Sequence, residues 1–158
     1  LDGTNIYFAD YDSVVEWLQL QALGKNTAGE DSTNDFTELD SALGTTNYRD
    51  SVSDIYLNAG MPNETTTYKV FSRTINNVPI APSTNSSSFK TGILWDMDDD
   101  SDGEYAGAET EDIVFVSQVN LSKLGGFGIT DYEIRVPAKL REYDPTTTTA
   151  AAYYIELK

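Results

Sequence analysis

Between Asp96 and Glu104 the chain places six carboxylates in nine positions, within the stretch DMDDDSDGEYAGAE (96–109). Two carboxylates about 4 Å apart repel by roughly 1 kcal/mol in water and by about 4 kcal/mol at the effective dielectric near a protein surface. A bound cation would offset that repulsion, and the spacing is that of a cation loop. Asp98, Asp100 and Asp102 alternate, Gly103 follows, and Glu109 comes after five intervening residues. This is the D-x-[DN]-x-[DN]-G-x5-E pattern of an EF-hand loop. Alternate carboxylates converge on the ion, the glycine makes the sharp turn, the carbonyl of Glu104 adds a ligand, and Glu109 closes the shell with both oxygens. Six to eight flexible oxygen ligands suit Ca²⁺ better than the strict octahedron of Mg²⁺. Asp96, Asp99 and Asp112 flank or interrupt the pattern and are alternative ligands.

Two further groups of acids are candidates. Asp10 and Asp12 could share a cation with Glu16, although acids at the start of a helix also complement its dipole. Asp131 and Glu133, two residues apart, would lie on one face of a strand, and Asp144 precedes Pro145 at a turn.

The segments on either side of the acidic tract, GILW and DIVFV, have strand character, so the tract is expected to be a hairpin loop and not a helix–loop–helix hand. Other β-rich runs are TNIYFAD (4–10), TYKVFSRTI (67–75), FKTGILWDM (89–97), EDIVFVSQVNL (111–121), ITDYEIRVPAKL (129–140) and AAYYIELK (151–158). Clusters of Gly, Pro, Asn and Thr separate them. DSVVEWLQLQALG (12–24) reads as a helix, with Ser13 as N-cap, Glu16 completing a capping box and Gly24 as terminator. Its alternation also admits a strand. A second helical turn is expected at FTELDSALG, capped by Asn34 or Asp35. DPTTTTAAA (144–152) reads as a long loop. Strands at this spacing, without helices between them, predict a single mainly β domain over 1–158: an antiparallel β-sandwich or jelly roll with one or two short helices in its first half.

Composition narrows the chemistry. Asp and Glu number 26 against 10 Lys and Arg, a net charge of −16, which disfavours nucleic acid and anionic membranes as partners. Cysteine and histidine are both absent, which removes disulfides, thiolate and imidazole metal sites, and the usual catalytic triads. Carboxylates alone could support a glycosidase pair, but no pair stands out, and a non-enzyme is expected. No apolar run approaches the length of a membrane span. The chain does not start with Met and reads as a mature or trimmed chain. The sequons at Asn63, Asn85 and Asn120 could accept glycans in an exported protein, and an extracellular location is expected. Trp17 and the ten tyrosines could offer a sugar-stacking face, whereas Trp95, in an apolar run, reads as core.

GILWDMDDDSDGEYAG, followed by EDIVFVSQVNL and DYEIRVPAKL in an acidic, cysteine-free chain, resembles the subunits of archaeal cannulae, which are extracellular tubules. More loosely it is similar to the fibre-forming jelly rolls of the TasA and camelysin class. The resemblance implies a jelly-roll subunit that polymerises with itself and Ca²⁺ outside the cell, lending a strand near one terminus to a neighbour's sheet. TNIYFAD, within residues 1–10, suits such a donor strand; it equally suits the first strand of its own sheet. The function expected is a calcium-dependent structural subunit forming filaments or tubules, and the alternative is a calcium-dependent carbohydrate-binding module.

Overall fold

The computed structural model describes residues 3–10, 14–26, 28–32, 34–83, 88–97, 105, 112–137 and 151–157. In chain order the elements are β1 (Gly3–Asp10), β2 (Leu20–Ala22), α1 (Asp35–Ala42), α2 (Val52–Tyr56), β3 (Leu57–Asn58), β4 (Met61–Pro62) and β5 (Thr65–Val70). There follow β6 (Arg73–Pro82), β7 (Lys90–Asp96), β8 (Ile113–Gln118), β9 (Lys123–Gly125), β10 (Gly128–Thr130) and β11 (Ala151–Leu157). The chain is mainly β with two short helices, both in its first half. Its described strands form one seven-stranded sheet and the two-stranded pairs β3–β4 and β9–β10.

The large sheet runs β11-β1-β8-β7-β6-β5, antiparallel throughout, and β2 pairs with β7 beside β6. β1 is an interior strand, bonded to β8 on one edge and β11 on the other. Its side chains alternate between two buried faces. On one face Tyr7 and Ala9 pack with Val114, Val116 and Leu94 beneath Tyr68, Val70, Ile75 and Val78 of the β5–β6 hairpin. Gly92 is required at this contact: a Cβ there would lie 2.6 Å from the Tyr68 ring and 2.9 Å from Val78.

The opposite face is covered by the helices. Ile93, Trp95 and Phe115 pack against Phe36 and Leu39 of α1 and Val52 and Tyr56 of α2. A buried carboxylate, Asp40, joins the two helices by accepting from the amides of Val52 (2.5 Å) and Ser53 (2.9 Å) at the start of α2. Such amides have no partner within their own helix. Asp35 does similar work at the start of α1, accepting from the Gly24 amide (3.0 Å) and the Ser32 hydroxyl. Burial pushes the Asp35 carboxyl above the usual range, against the pull of these hydrogen bonds.

Two expectations need correction. Residues 14–24 do not form a helix: they run irregularly into the short strand β2. The Glu16 amide, which a capping box would have kept local, donates instead to the Asp96 carboxylate (2.5 Å), and Leu20–Ala22 takes the free edge of β7. The run 129–140 is a strand only as far as Thr130; residues 131–137 cross the helix-covered face irregularly. There the Arg135 amide bonds the Thr91 hydroxyl (2.8 Å) in place of a neighbouring backbone. α2, in contrast, was not anticipated. No described helix is long and apolar enough to cross a membrane.

Candidate metal-binding end of the sheet

β7 and β8 are antiparallel neighbours, with Thr91 opposite Ser117 and Trp95 opposite Ile113. One step further the Asp96 amide donates to the Asp112 carbonyl (2.9 Å). The acidic tract therefore connects two paired strands, as the strand character of its flanks predicted. The ligand candidates Asp98, Asp100, Asp102, Glu104 and Glu109 lie outside the described residues, as does Asp99.

What the structure does describe is the pair of strand ends that the tract joins. Asp96 is fully buried at the end of β7, and its carboxylate receives the Glu16 amide. Asp112 is half-buried at the start of β8. Within the tract, Tyr105 is buried, its ring meeting the Trp95 indole edge-on at 6.1 Å. One apolar residue in a polar run was the signal for this anchor, and it ties the middle of the connection to the helix-side core.

The N-terminal acids arrive at the same end. β1 runs antiparallel to β8 with Ala9 opposite Val114, so Asp10 falls one step on, at the register position beside Ile113 and next along from Asp112. Asp12 lies outside the described residues, but the segment after it returns over the base of the tract: Glu16 bonds Asp96, and the Met97 amide donates to the Gln19 carbonyl (3.2 Å). Two candidate sites that are distant in sequence thus leave the sheet at one end. Among the described residues, no three acidic side chains are gathered closely enough to hold a metal ion. Searches of protein-family models, of curated proteins and of solved structures find no match to this chain.

The remaining candidates lie elsewhere and have structural work. Asp131 accepts from the Ser122 amide (2.9 Å), and Glu133 braces the β9–β10 hairpin. Burial pushes the Glu133 carboxyl up, but hydrogen bonds from the Ser83 hydroxyl and the Gly126 and Phe127 amides outweigh it and hold it below its ordinary value. Gly125 leaves room for that carboxylate, which a Cβ would overlap at 1.9 Å. Asp144 lies outside the described residues. Of the sequons, Asn63 is exposed, Asn120 is half-buried with its amide donating to the Ser88 carbonyl (3.3 Å), and Asn85 lies outside the described residues. Trp95 is core, as expected. Trp17 is half-buried and meets Tyr7, Phe71 and Tyr154 edge-on, with ring centroids 4.9, 5.6 and 5.1 Å away.

One polar centre had no forecast. Glu156 of β11 is buried, and its Oε2 accepts from the Tyr7 hydroxyl (2.5 Å) and the Asn5 amide group (2.7 Å). Its Oε1 accepts from the Phe71 backbone amide (3.0 Å), and Phe71 holds a φ of 50°. Burial and then the Glu156 carboxylate drive the Tyr7 hydroxyl far above its ordinary pKa, so it stays a donor. The only sequence signal was a lone charge in an otherwise apolar strand.

Proposed function

We propose that this chain is a calcium-dependent structural subunit that assembles with its own copies into extracellular filaments or tubules. The observation that supports this most is the convergence of Asp10, Asp96 and Asp112, and with them both acidic segments, on one end of the sheet. A chain of net charge −16 repels its copies, and divalent cations held among carboxylates turn that repulsion into a bridge. Ca²⁺ would engage Asp98, Asp100, Asp102, Glu104 and Glu109, with Asp10 and Asp12 adding ligands from the same subunit or a neighbour.

The resemblance to cannula subunits adds a jelly-roll arrangement, of which the β5–β6 hairpin over the main sheet would be part of the second layer. It also adds strand exchange. With β1 paired on both edges, exchange by that strand would mean that a neighbour's β1 fills the slot between β8 and β11. The edge-on packing of Trp17, in place of a flat exposed platform, favours the structural role over sugar binding.

Negative-stain microscopy of purified monomer, before and after millimolar Ca²⁺, tests the proposal. Filaments or tubes that dissolve in chelator are the expected result. Unchanged monomers that acquire affinity for a sugar would replace it with a carbohydrate-binding module.

A further inference from the structure

The two outer edges of the large sheet are built differently. β5, at one end of the strand order, carries exposed Thr65, Thr66, Thr67 and Lys69 and an irregularity in register between Thr66 and Tyr68. Charge and bulges are the devices that keep an edge from pairing with another chain. β11, at the other end, exposes no charge, and the one irregularity in its pairing lies on β1, between Gly3 and Asn5. It is seven residues long, contains no proline, and its one charged side chain, Glu156, turns inward. Its exposed row is apolar: Tyr153 is 62% exposed, Ile155 48% and Leu157 73%. Among the described residues its outer edge has no neighbour.

We infer that β11 is a pairing edge, and that its partner is β11 of a second copy, added antiparallel about a two-fold axis through Ile155. The choice of a second copy rests on the self-assembly reading and on three properties of the strand itself. First, the row is self-complementary: with Ile155 facing its own counterpart, Tyr153 of each copy faces Leu157 of the other, giving aromatic–aliphatic pairs of the kind that stabilise sheets. Second, the exposed face of the strand bears no charge, so two strongly acidic chains can approach there without placing carboxylates in opposition. Third, the unpaired backbone groups of an edge strand are satisfied by the same strand in the other copy. Nothing is exchanged in this joint, since each β11 keeps its bonds to its own β1. A two-fold contact closes at two copies. A growing polymer therefore needs a second joint, and the calcium-binding end of the sheet is placed to supply it.

The test is sedimentation equilibrium over a concentration series in excess chelator, where calcium bridges cannot form. The parent chain is expected to dimerise reversibly. Tyr153→Lys with Leu157→Lys sets ammonium opposite ammonium twice across the axis and should weaken the dimer by about tenfold or more. Tyr153→Lys with Leu157→Glu sets opposite charges across the same two positions and should restore it. Both positions are exposed, and an unchanged circular dichroism spectrum confirms that each variant folds. A parent that stays monomeric in chelator overturns the inference, as does a double-lysine variant that dimerises like the parent or an opposite-charge variant no better than the double-lysine one. A chelator-treated monomer that still polymerises with Ca²⁺ would remove this joint and leave the proposed function standing. A chelator-resistant dimer that never polymerises would do the reverse.

Discussion

Replacing Glu156 with alanine removes the one buried side chain of β11. Three hydrogen bonds to a charged acceptor go with it, from the Tyr7 hydroxyl, the Asn5 amide group and the Phe71 amide. Hydrogen bonds to charged groups contribute about 1.5–3 kcal/mol each, which sets an upper sum well above what would be measured. Two features lower it. The Asn5 amide group also donates to the Lys69 carbonyl (2.8 Å), and an open pocket lined by Thr4, Lys69, Phe71 and Gln118 lets water reach the vacated site. The Tyr7 hydroxyl, on a side chain with no exposed surface, is the donor that suffers most. A loss of about 2–4 kcal/mol follows, between one hydrogen bond to a charge and the cost of leaving a buried donor unmatched. Glu156→Gln keeps the shape but turns an NH₂ group toward one of the donors, and should cost about 1–3 kcal/mol. Urea denaturation followed by tryptophan fluorescence measures both, since Trp17 packs against Tyr7 and Tyr154 beside this centre. Glu64→Gln, which removes only a surface ion pair with Lys90, is the control, with an expected change of under about 1 kcal/mol. A Glu156→Ala midpoint no lower than that of the control would refute the assignment of Glu156 as the tie between the C-terminal strand, β1 and the β5–β6 turn.

Thermal melts with Ca²⁺ and with chelator should differ, by about 2.7 kcal/mol of stability when free Ca²⁺ is a hundredfold above the dissociation constant; coincident curves would reduce the acidic tract to a solvated turn. In calorimetric titration, Asp98→Ala with Asp100→Ala should reduce Ca²⁺ binding far more than Asp10→Ala with Asp12→Ala, because only the first pair sits in the full ligand spacing; equal losses would put the main ligands elsewhere. Gly92→Ala drives a methyl into Tyr68, Val78 and Val116 and should destabilise by about 1–3 kcal/mol in urea titrations. The lowered Glu133 carboxyl contributes stability that is complete above its ordinary value of 4.5 and fades as pH falls through the lower folded-state value. Glu133→Gln should therefore flatten the acid limb of the stability–pH curve, and an unchanged limb would assign acid sensitivity to other groups.

The strands that could be read from sequence are those whose side chains carry the signal themselves. Ile93, Leu94 and Trp95, like Val114, Phe115 and Val116, are continuous apolar runs because both faces of the sheet are covered. That continuity also made the acidic tract legible as a hairpin connection. Residues 14–24 misled because a capping box is a local pattern, while the partner that won, the Asp96 carboxylate, lies eighty residues away. Tyr132, Ile134 and Val136 alternate as a strand would, but the buried residue of this run is Glu133 and Tyr132 is exposed, and alternation does not say whether a backbone neighbour exists. α2 is five residues long, and much of what holds it is the Asp40 carboxylate at its first amides, a tie made across the connection from α1. Glu156 was illegible for a related reason: a charge in an apolar strand looks like an outward face until its donors, on β1 and after β5, are known.

The seam between β1 and β11 joins the first described strand to the last, with Gly3 registered opposite Leu157. Pairings so distant in sequence are slow, because the closure entropy must be met before any contact rewards it. As the chain is synthesised, β8 can meet β1 long before β11 exists, so the newborn sheet waits with one side of β1 bare and Tyr7 and Asn5 without their acceptor. The order of synthesis thus makes the β1–β11 seam the last part of the large sheet to close, with the Tyr7 and Asn5 donors waiting on Glu156 until it does.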